Sequence, residues 1–429
     1  MVNSGPESTA VQQSAHTMRS DHLAKIRPDP AARGVLHNVR VLDMSRLVAG
    51  NMLSLQLADF GADVIKVENP KVGDTLRHWV EEGPAGQKID LWWQTYARNK
   101  RSLAIDLRDD QAREALRQVA KTAHVLIESF RPGTLEAMGL GPDVLHALNP
   151  RLIIVRLSGW GQDGPYRELP GFGSLIEGFS GFAHKHVGPK GLPQLPNMAL
   201  ADMIAGLTGA FATMTALREV EVNQGKGQVI DLSLLEPMLA IMGTDVAAYA
   251  ASGHMKAPDR KLASPRGAYQ CKDGGWVALS GSTDAMARRV MEAVGRPELI
   301  EDPRFATNEA RLEHDADLDA VIADFVKGKS LEECLAHFRE RGVTLGPIYD
   351  PARLLADTHV AQRQSYVSVN TGKAEFVMHN ITPRLSDTPG AIRTPAPELG
   401  QHTAEILAEG GLTQAQIEAL TREGAARCT

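Results

Sequence analysis

Cysteine is scarce in this chain of 429 residues, which has three. Cys271, Cys334 and Cys428 are odd in number and far apart, so they supply neither a disulfide framework nor a zinc spacing. That usage suits a reducing cytoplasm, with each thiol structural or incidental. Long apolar runs are also missing: no uninterrupted stretch is of a length to span a bilayer. Residues 1–33 are polar, with Pro28 and Pro30 late and no apolar segment of the signal-peptide kind, and read as a loose tail. There is no excess of positive charge. Lys and Arg number 46 against 52 Asp and Glu, for a net charge of -6, which argues against nucleic acid as a partner. No internal repeat is visible.

What remains is an ordinary enzyme composition, 43% hydrophobic and 23% charged, in a chain too long for one core. From residue 39 to 157 short apolar runs alternate with segments of helical spacing. Val39–Asp43, Val64–Glu68, Ser102–Leu107, Val125–Ser129 and Leu152–Leu157 read as strands. Met52–Phe60, Asp110–Ala120 and Leu135–Leu148 read as helices. Alternation at this interval implies parallel strands with crossover helices, an α/β doubly wound sheet of Rossmann-like kind. Ligands in such sheets bind beyond the carboxyl ends of the strands. Those ends carry Arg46, Arg108 and Arg131, which form either a positive rim suited to phosphates or plain solvated surface.

Met203–Val220 is rich in Ala and Gly and apolar on more than one face, which predicts a buried helix. Asp202 stands just before it, where Asp is a favoured N-cap. Beyond about residue 245 the pattern changes. Ala268–Cys271 and Trp276–Leu279 predict a hairpin around Gly274-Gly275, and helical stretches follow. The expected organisation is a tail (1–33), a large domain begun by 34–240, a small α+β domain (245–350), and a return segment (355–429) completing the large domain.

Several segments together, from about residue 36 onward, carry a resemblance. They are Val39-Arg40-Val41-Leu42-Asp43, Ala62-Asp63-Val64-Ile65-Lys66-Val67-Glu68, Asn99-Lys100-Arg101-Ser102 and Glu128-Ser129-Phe130-Arg131-Pro132-Gly133. With them go Gly159-Trp160-Gly161-Gln162-Asp163-Gly164-Pro165, Gly225-Lys226-Gly227-Gln228 and Leu399-Gly400-Gln401-His402-Thr403. In this order and spacing they resemble the class III CoA-transferases, a family that also holds α-methylacyl-CoA racemases. The resemblance implies an interlocked homodimer, a large domain split around an inserted small one, acyl-CoA and small carboxylic acids as substrates, no membrane, and no tightly bound cofactor or metal.

It also implies site residues. The family's nucleophilic Asp falls on Asp202, within Ala201-Asp202-Met203. Its nucleotide contacts fall on Leu47, Val48 and Ala49, on Asn69, on Ile105 to Arg108, and on Ser129, Phe130 and Arg131. Arg108 and Arg131 are the expected phosphate ligands. A carboxylate with an ordinary pKa near 3.9 is ionised at neutral pH and attacks a thioester without a general base. The implied reaction moves CoA from an acyl-CoA, such as the thioester of succinate, to a free acid. It runs through an aspartyl anhydride and an aspartyl-CoA thioester.

Three rival readings stand beside it. Racemases of the family carry Gly-His-Asp where this chain has Gly171-Phe172-Gly173, and Phe172 transfers no proton; His184 and His186 are displaced. A nicotinamide oxidoreductase would use Glu68 on ribose, but the glycine fingerprint is absent after the first strand. A non-catalytic CoA-binding protein is the third. No glycine-rich flap is evident, which argues against formate and oxalate. Arg46, Arg77 and Arg266 are candidates for a second carboxylate on the substrate.

Overall fold

In the computed structural model, which describes residues 21–83, 86–188, 191–372 and 374–429, the apolar runs assemble into a seven-stranded sheet. Its strands are β1 (Arg40–Asp43), β2 (Asp63–Glu68), β3 (Lys100–Ile105), β4 (Val125–Glu128), β5 (Ile153–Ser158), β6 (Val229–Ser233) and β7 (Ala426–Arg427). Their spatial order is β7-β3-β2-β1-β4-β5-β6. β1 to β6 are parallel, and β7 pairs antiparallel with β3. The winding reverses between β1 and β4, so the carboxyl ends of these two strands flank the crevice where such sheets take ligands.

Side chains alternate across the pleat. Leu42, Ile65, Leu103, Leu126 and Ile154 enter one core with Ala112, Leu116 and Val119 of α2 (Asp110–Ala120). Val41, Val64, Val125, Ile127 and Val155 enter the other. That second face is covered by α1 (Leu47–Asp59) and by a long helix, Leu200–Val222, which follows the short α3 (Gly173–Phe179) and is named α4. Small residues let α1 and α4 approach closely. A Cβ on Gly206 would lie 2.7 Å from Met52 Cβ and 2.8 Å from the Ala49 carbonyl oxygen. Leu53, wholly buried beside Gly209, contributes about 2–3 kcal/mol of burial.

Three expectations need correction. The stretch 135–148 is two helices, Thr134–Ala137 and Pro142–Leu148; Gly139 at φ +66° interrupts it, and Pro142 starts the second. The loose tail is ordered in its described part: Leu23 is buried, and Lys25–Ile26 pairs with Tyr366–Asn370, whose other neighbour is Glu375–His379. Residues 1–20 lie outside the described residues. α4 is not buried all round: Leu207, Phe211 and Met214, at spacings of four and three, stand 49%, 74% and 39% exposed. α4 is also long and apolar enough to cross a membrane by length and composition; here Ala205, Gly209, Thr213 and Leu217 lie buried within the protein.

The chain divides into two compact units, one running up to Ala247 and resuming at Ala361, the other Ala248–Val360. The second has an antiparallel sheet of Arg266–Gln270, Trp276–Ser280 and Leu345–Ile348. Its own core includes Val277, Leu279, Leu318, Ile322 and Phe338. Gly274, at φ +82°, makes the hairpin turn. Cys271 and Cys334 are buried there with sulfurs 3.9 Å apart.

Candidate active site

The loop from β1 into α1 is built on buried charge. Asp43 ends β1 and accepts from Ser45 N, from the Ser54 hydroxyl at 2.6 Å, and from Lys66 Nζ at 3.2 Å. Lys66 also reaches Asp74 Oδ2 at 2.9 Å, and Lys100 lies 3.5 Å from Asp43. Burial works against the charged forms, but the two ammonium groups hold Asp43 below the carboxylate norm, and Lys66 does the same for Asp74. Lys66 is raised because two acids outweigh its burial, whereas Lys100, buried and facing the Lys66 charge, is lowered to about 8.

This network holds a strained turn. Leu47 sits at φ +63°, a conformation that costs a non-glycine residue roughly 1–2 kcal/mol. Its N–H donates to Asp74 Oδ1 at 3.0 Å, and its carbonyl accepts from Asn51 Nδ2. Asn51 Oδ1 takes Lys100 Nζ at 2.9 Å. Strain of this kind persists only where the surroundings over-determine it, and it concentrates at functional sites. The turn presents Val48 and Ala49 at the start of α1.

Asp202 meets that turn. It lies in the first turn of α4, whose N-cap is Ala199 with no side-chain cap, so the N-cap reading of Asp202 is wrong. The Asp202 carboxylate lies against the first residue of α3: a Cβ built on Gly173 would collide with Oδ2. Burial, with the Glu177 charge second, pushes Asp202 up to about 6, while the N–H groups of Asp202 and Ala49 pull it the other way. The expectation of an ordinary carboxylate pKa is thereby corrected. At pH 7 about nine-tenths of it is still ionised, and no cation contributes to its shift. The arrangement can present an anionic oxygen with donors from the start of α1 beside it.

The other expected contacts separate. Leu47, Val48 and Ala49 come together with Asp202. Ser129, after β4, is tied across the crevice, its hydroxyl accepting Arg46 N–H at 3.0 Å. Phe130 is half-buried and packs on the core, and Arg131 is exposed. Ile105 is buried in the core and paired with Ala426, so its side chain is turned away from solvent. Arg108 is exposed and gripped by Asp106 through two bonds, which hold that carboxyl down at about 2. Asn69 closes its own turn, its oxygen accepting Lys71 and Val72 N–H. Arg46 is exposed at the crevice. Arg77 is committed to Glu68 at 2.7 and 2.9 Å and lies 3.7 Å over Trp93, so it is no free ligand for a substrate carboxylate. Arg266 belongs to the second unit.

Two rivals lose their residues. Glu68 is buried and already accepts from Arg77, Ser102 and Asp74 N, leaving no ribose acid. Phe172 is 62% exposed at the start of α3, and Gly173 stands where the racemases carry Asp; a side chain there would strike Asp202. His184 and His186 are exposed on and after Phe182–Lys185. Among the described residues, no group of three His, Cys, Asp or Glu is placed to hold a metal ion. Glu177 was missed by the sequence reading.

Known proteins resemble this chain over most of its length. The family model of CoA-transferase family III matches residues 36–403. Succinyl-CoA–D-citramalate CoA-transferase of Chloroflexus aurantiacus is 38% identical over 390 residues, spanning 90% of this chain and 96% of its own. Human succinyl-CoA:glutarate CoA-transferase is 30% identical, over 87% of this chain and 85% of its own. The crystal structure of a CAIB/BAIF family protein from Brucella suis is 31% identical and superposes with a TM-score of 0.76, covering 88% of this chain and 100% of that one. The chain belongs to CoA-transferase family III and is a CoA-transferase.

Proposed function

We propose that the protein transfers CoA from the thioester of a small dicarboxylic acid, such as succinate, to a free carboxylic acid, with Asp202 as covalent nucleophile. The observation that carries this is a largely ionised carboxylate, without an ion pair among the described residues, beside the Leu47–Ala49 turn. In the first step an Asp202 oxygen bonds to the thioester carbonyl carbon and the C–S bond breaks, giving a mixed anhydride and CoA thiolate. The thiolate then attacks the Asp202 carbonyl carbon and releases the donor acid, leaving aspartyl-CoA. The acceptor carboxylate attacks that thioester, and returning CoA thiolate frees the new acyl-CoA and Asp202. Ala49 N–H, at the helix start, is placed to stabilise the oxyanions. The donor class is supported by the succinyl-CoA-dependent relatives, whose names give citramalate and glutarate as the second acid.

The same reading makes the exposed stripe of Leu207, Phe211 and Met214 part of a homodimer interface, since an apolar patch of this kind is costly in water. Light scattering should give about twice the 46.4 kDa chain mass, and a stable active monomer would remove the claim. The test of the mechanism is Asp202→Asn, which is nearly isosteric and retains an oxygen for Ala49 N–H. Transfer should fall by several orders of magnitude with CoA-thioester binding kept. In the wild type, hydroxylamine added after succinyl-CoA should modify the Asp202 peptide. An Asn variant turning over near the wild-type rate, with amide hydrolysis excluded by mass, would sink the covalent mechanism.

A further inference from the structure

Glu177 lies four residues after Gly173 on α3, and residues at that interval share one face of a helix. Gly173 is pressed against the Asp202 carboxylate, and Glu177 reaches the start of α4. Its side chain is 2% exposed, and Oε1 accepts the N–H of Ala201, the residue before the nucleophile, at 3.1 Å. Among the described residues no Lys, Arg or His forms an ion pair with it. The first turn of α4 thus has no cap from its own Ala199 and receives one from a carboxylate 24 residues earlier.

A cap alone does not need that charge. A glutamine in the same place offers Ala201 the same amide-accepting oxygen without setting a second carboxylate beside Asp202. The charge therefore needs another reason, and the neighbour it acts on is Asp202. We propose that Glu177 positions Asp202 for attack, both by fixing the turn that carries it and by presenting a like charge that makes the Asp202 carboxylate a stronger nucleophile. This rests on the reading of Asp202 as nucleophile.

The groups facing Asp202 bear this out by their kind. From α3 come Gly173, which leaves room, and Glu177, which repels; from α1 comes the Ala49 N–H. Glu177 is the one charged side chain among the causes of the Asp202 shift, and it acts in the same direction as burial. Repulsion between two carboxylates favours whatever step neutralises one of them, and acylation of Asp202 does so. Protonation does so too, which ties the effect to a measurable pH limb.

The test follows the first half-reaction, release of succinate from succinyl-CoA as aspartyl-CoA forms in a single turnover, between pH 5 and 8. Asp202→Asn is run first; release at an undiminished rate overturns the nucleophile reading and this proposal with it. With Asp202 confirmed, Glu177→Gln keeps the bond to Ala201 N–H and removes the charge. Its acid limb should move to lower pH, its release rate at pH 8 should drop a few-fold on a Brønsted argument, and KM should change little. Glu177→Ala, which also loses the bond, should be slower again. Glu177→Asp keeps the charge with a shorter reach, so its limb should stay near the wild-type position while its rate falls; this variant decides the matter if the uncharged ones fail to fold. A limb unmoved in Glu177→Gln, or displaced downward in Glu177→Asp, overturns the proposal while leaving Asp202 in place.

Discussion

Two regions far apart in sequence, which meet where Ala49 N–H faces Asp202, treat buried charge in opposite ways. Beneath the start of α1, Asp43, Asp74, Lys66 and Lys100 are wholly buried, and each acid faces at least one ammonium group. At the start of α4, Asp202 and Glu177 are two carboxylates with no ion-pair partner among the described residues. The first arrangement is a scaffold: its charges cancel, its bonds are full, and its product is a fixed strained turn at Leu47. The second keeps one charge available. Removing a partner from a balanced network leaves an orphan charge and is costly, whereas removing a charge from an unbalanced pair relieves the fold. Stability and activity should therefore respond in opposite senses in the two places.

The largest effect on stability is expected in the scaffold. Lys66→Met leaves Asp43 and Asp74 sharing Lys100 alone, the situation in which breaking a buried pair costs about 3–5 kcal/mol. Urea unfolding should show that loss as a lower midpoint, with weakened CoA-thioester binding as the Leu47 turn loosens. A change under about 1 kcal/mol would mean that the network does not hold the turn.

Asp202→Asn should show the reverse sign. The folded chain raises Asp202 from 3.8 to about 6, so the neutral form is the one the fold favours. The stability tied to it is fully present below pH 4 and is lost as pH rises through about 6. At pH 8 the ionised wild type then carries a penalty of up to about 3 kcal/mol that the Asn variant escapes. The variant should melt at higher temperature than the wild type at pH 8, with the gap closing by pH 4. Equal melting at both pH values would show that Asp202 is better solvated than its surroundings indicate.

The contrast also marks how far sequence could carry the reading. Strands β1 to β5 were legible because both faces are buried and the apolar runs are continuous. Asp202 was legible as a candidate, through the family resemblance and the small-residue helix behind it. What was not legible depended on tertiary partners. Lys66 stood inside one expected strand and Lys100 before another, and only the fold brings them over Asp43. The uncapped helix start after Ala199 was hidden by reading Asp202 as the cap, and the bond from Ala201 N–H to Glu177 was not legible, because nothing local joins positions 177 and 201. Glu68 looked available to a nucleotide until Arg77, Ser102 and the Asp74 N–H were found on it. Position 173 is an exception, since a glycine where the racemases of the family carry Asp was on the page before the fold showed Asp202 against it.

The same distinction between paired and unpaired charge reaches the crevice rim, where the expected effects are smallest. Arg108 and Arg131 follow β3 and β4 and were equal candidates for CoA phosphates. The structure makes them unequal. Arg108 gives two bonds to Asp106, so a phosphate must compete with a carboxylate already in place, and the pair presents little net charge. Arg131 is exposed, with no ion-pair partner among the described residues, and it follows β4 at the reversal of the winding, where a ligand is expected. Its guanidinium can take a phosphate without giving up a bond. Arg131→Ala should therefore weaken succinyl-CoA binding roughly tenfold or more, the usual scale for a charge-assisted contact, and Arg108→Ala should weaken it less. Raising the salt concentration should narrow the difference, because both sites are open to solvent and screened. Isothermal titration of the two variants on an Asp202→Asn background, where no turnover interferes, would measure both. If Arg108→Ala proved the more damaging, the phosphates would lie over β3, and the Arg108–Asp106 pair would have to open on binding.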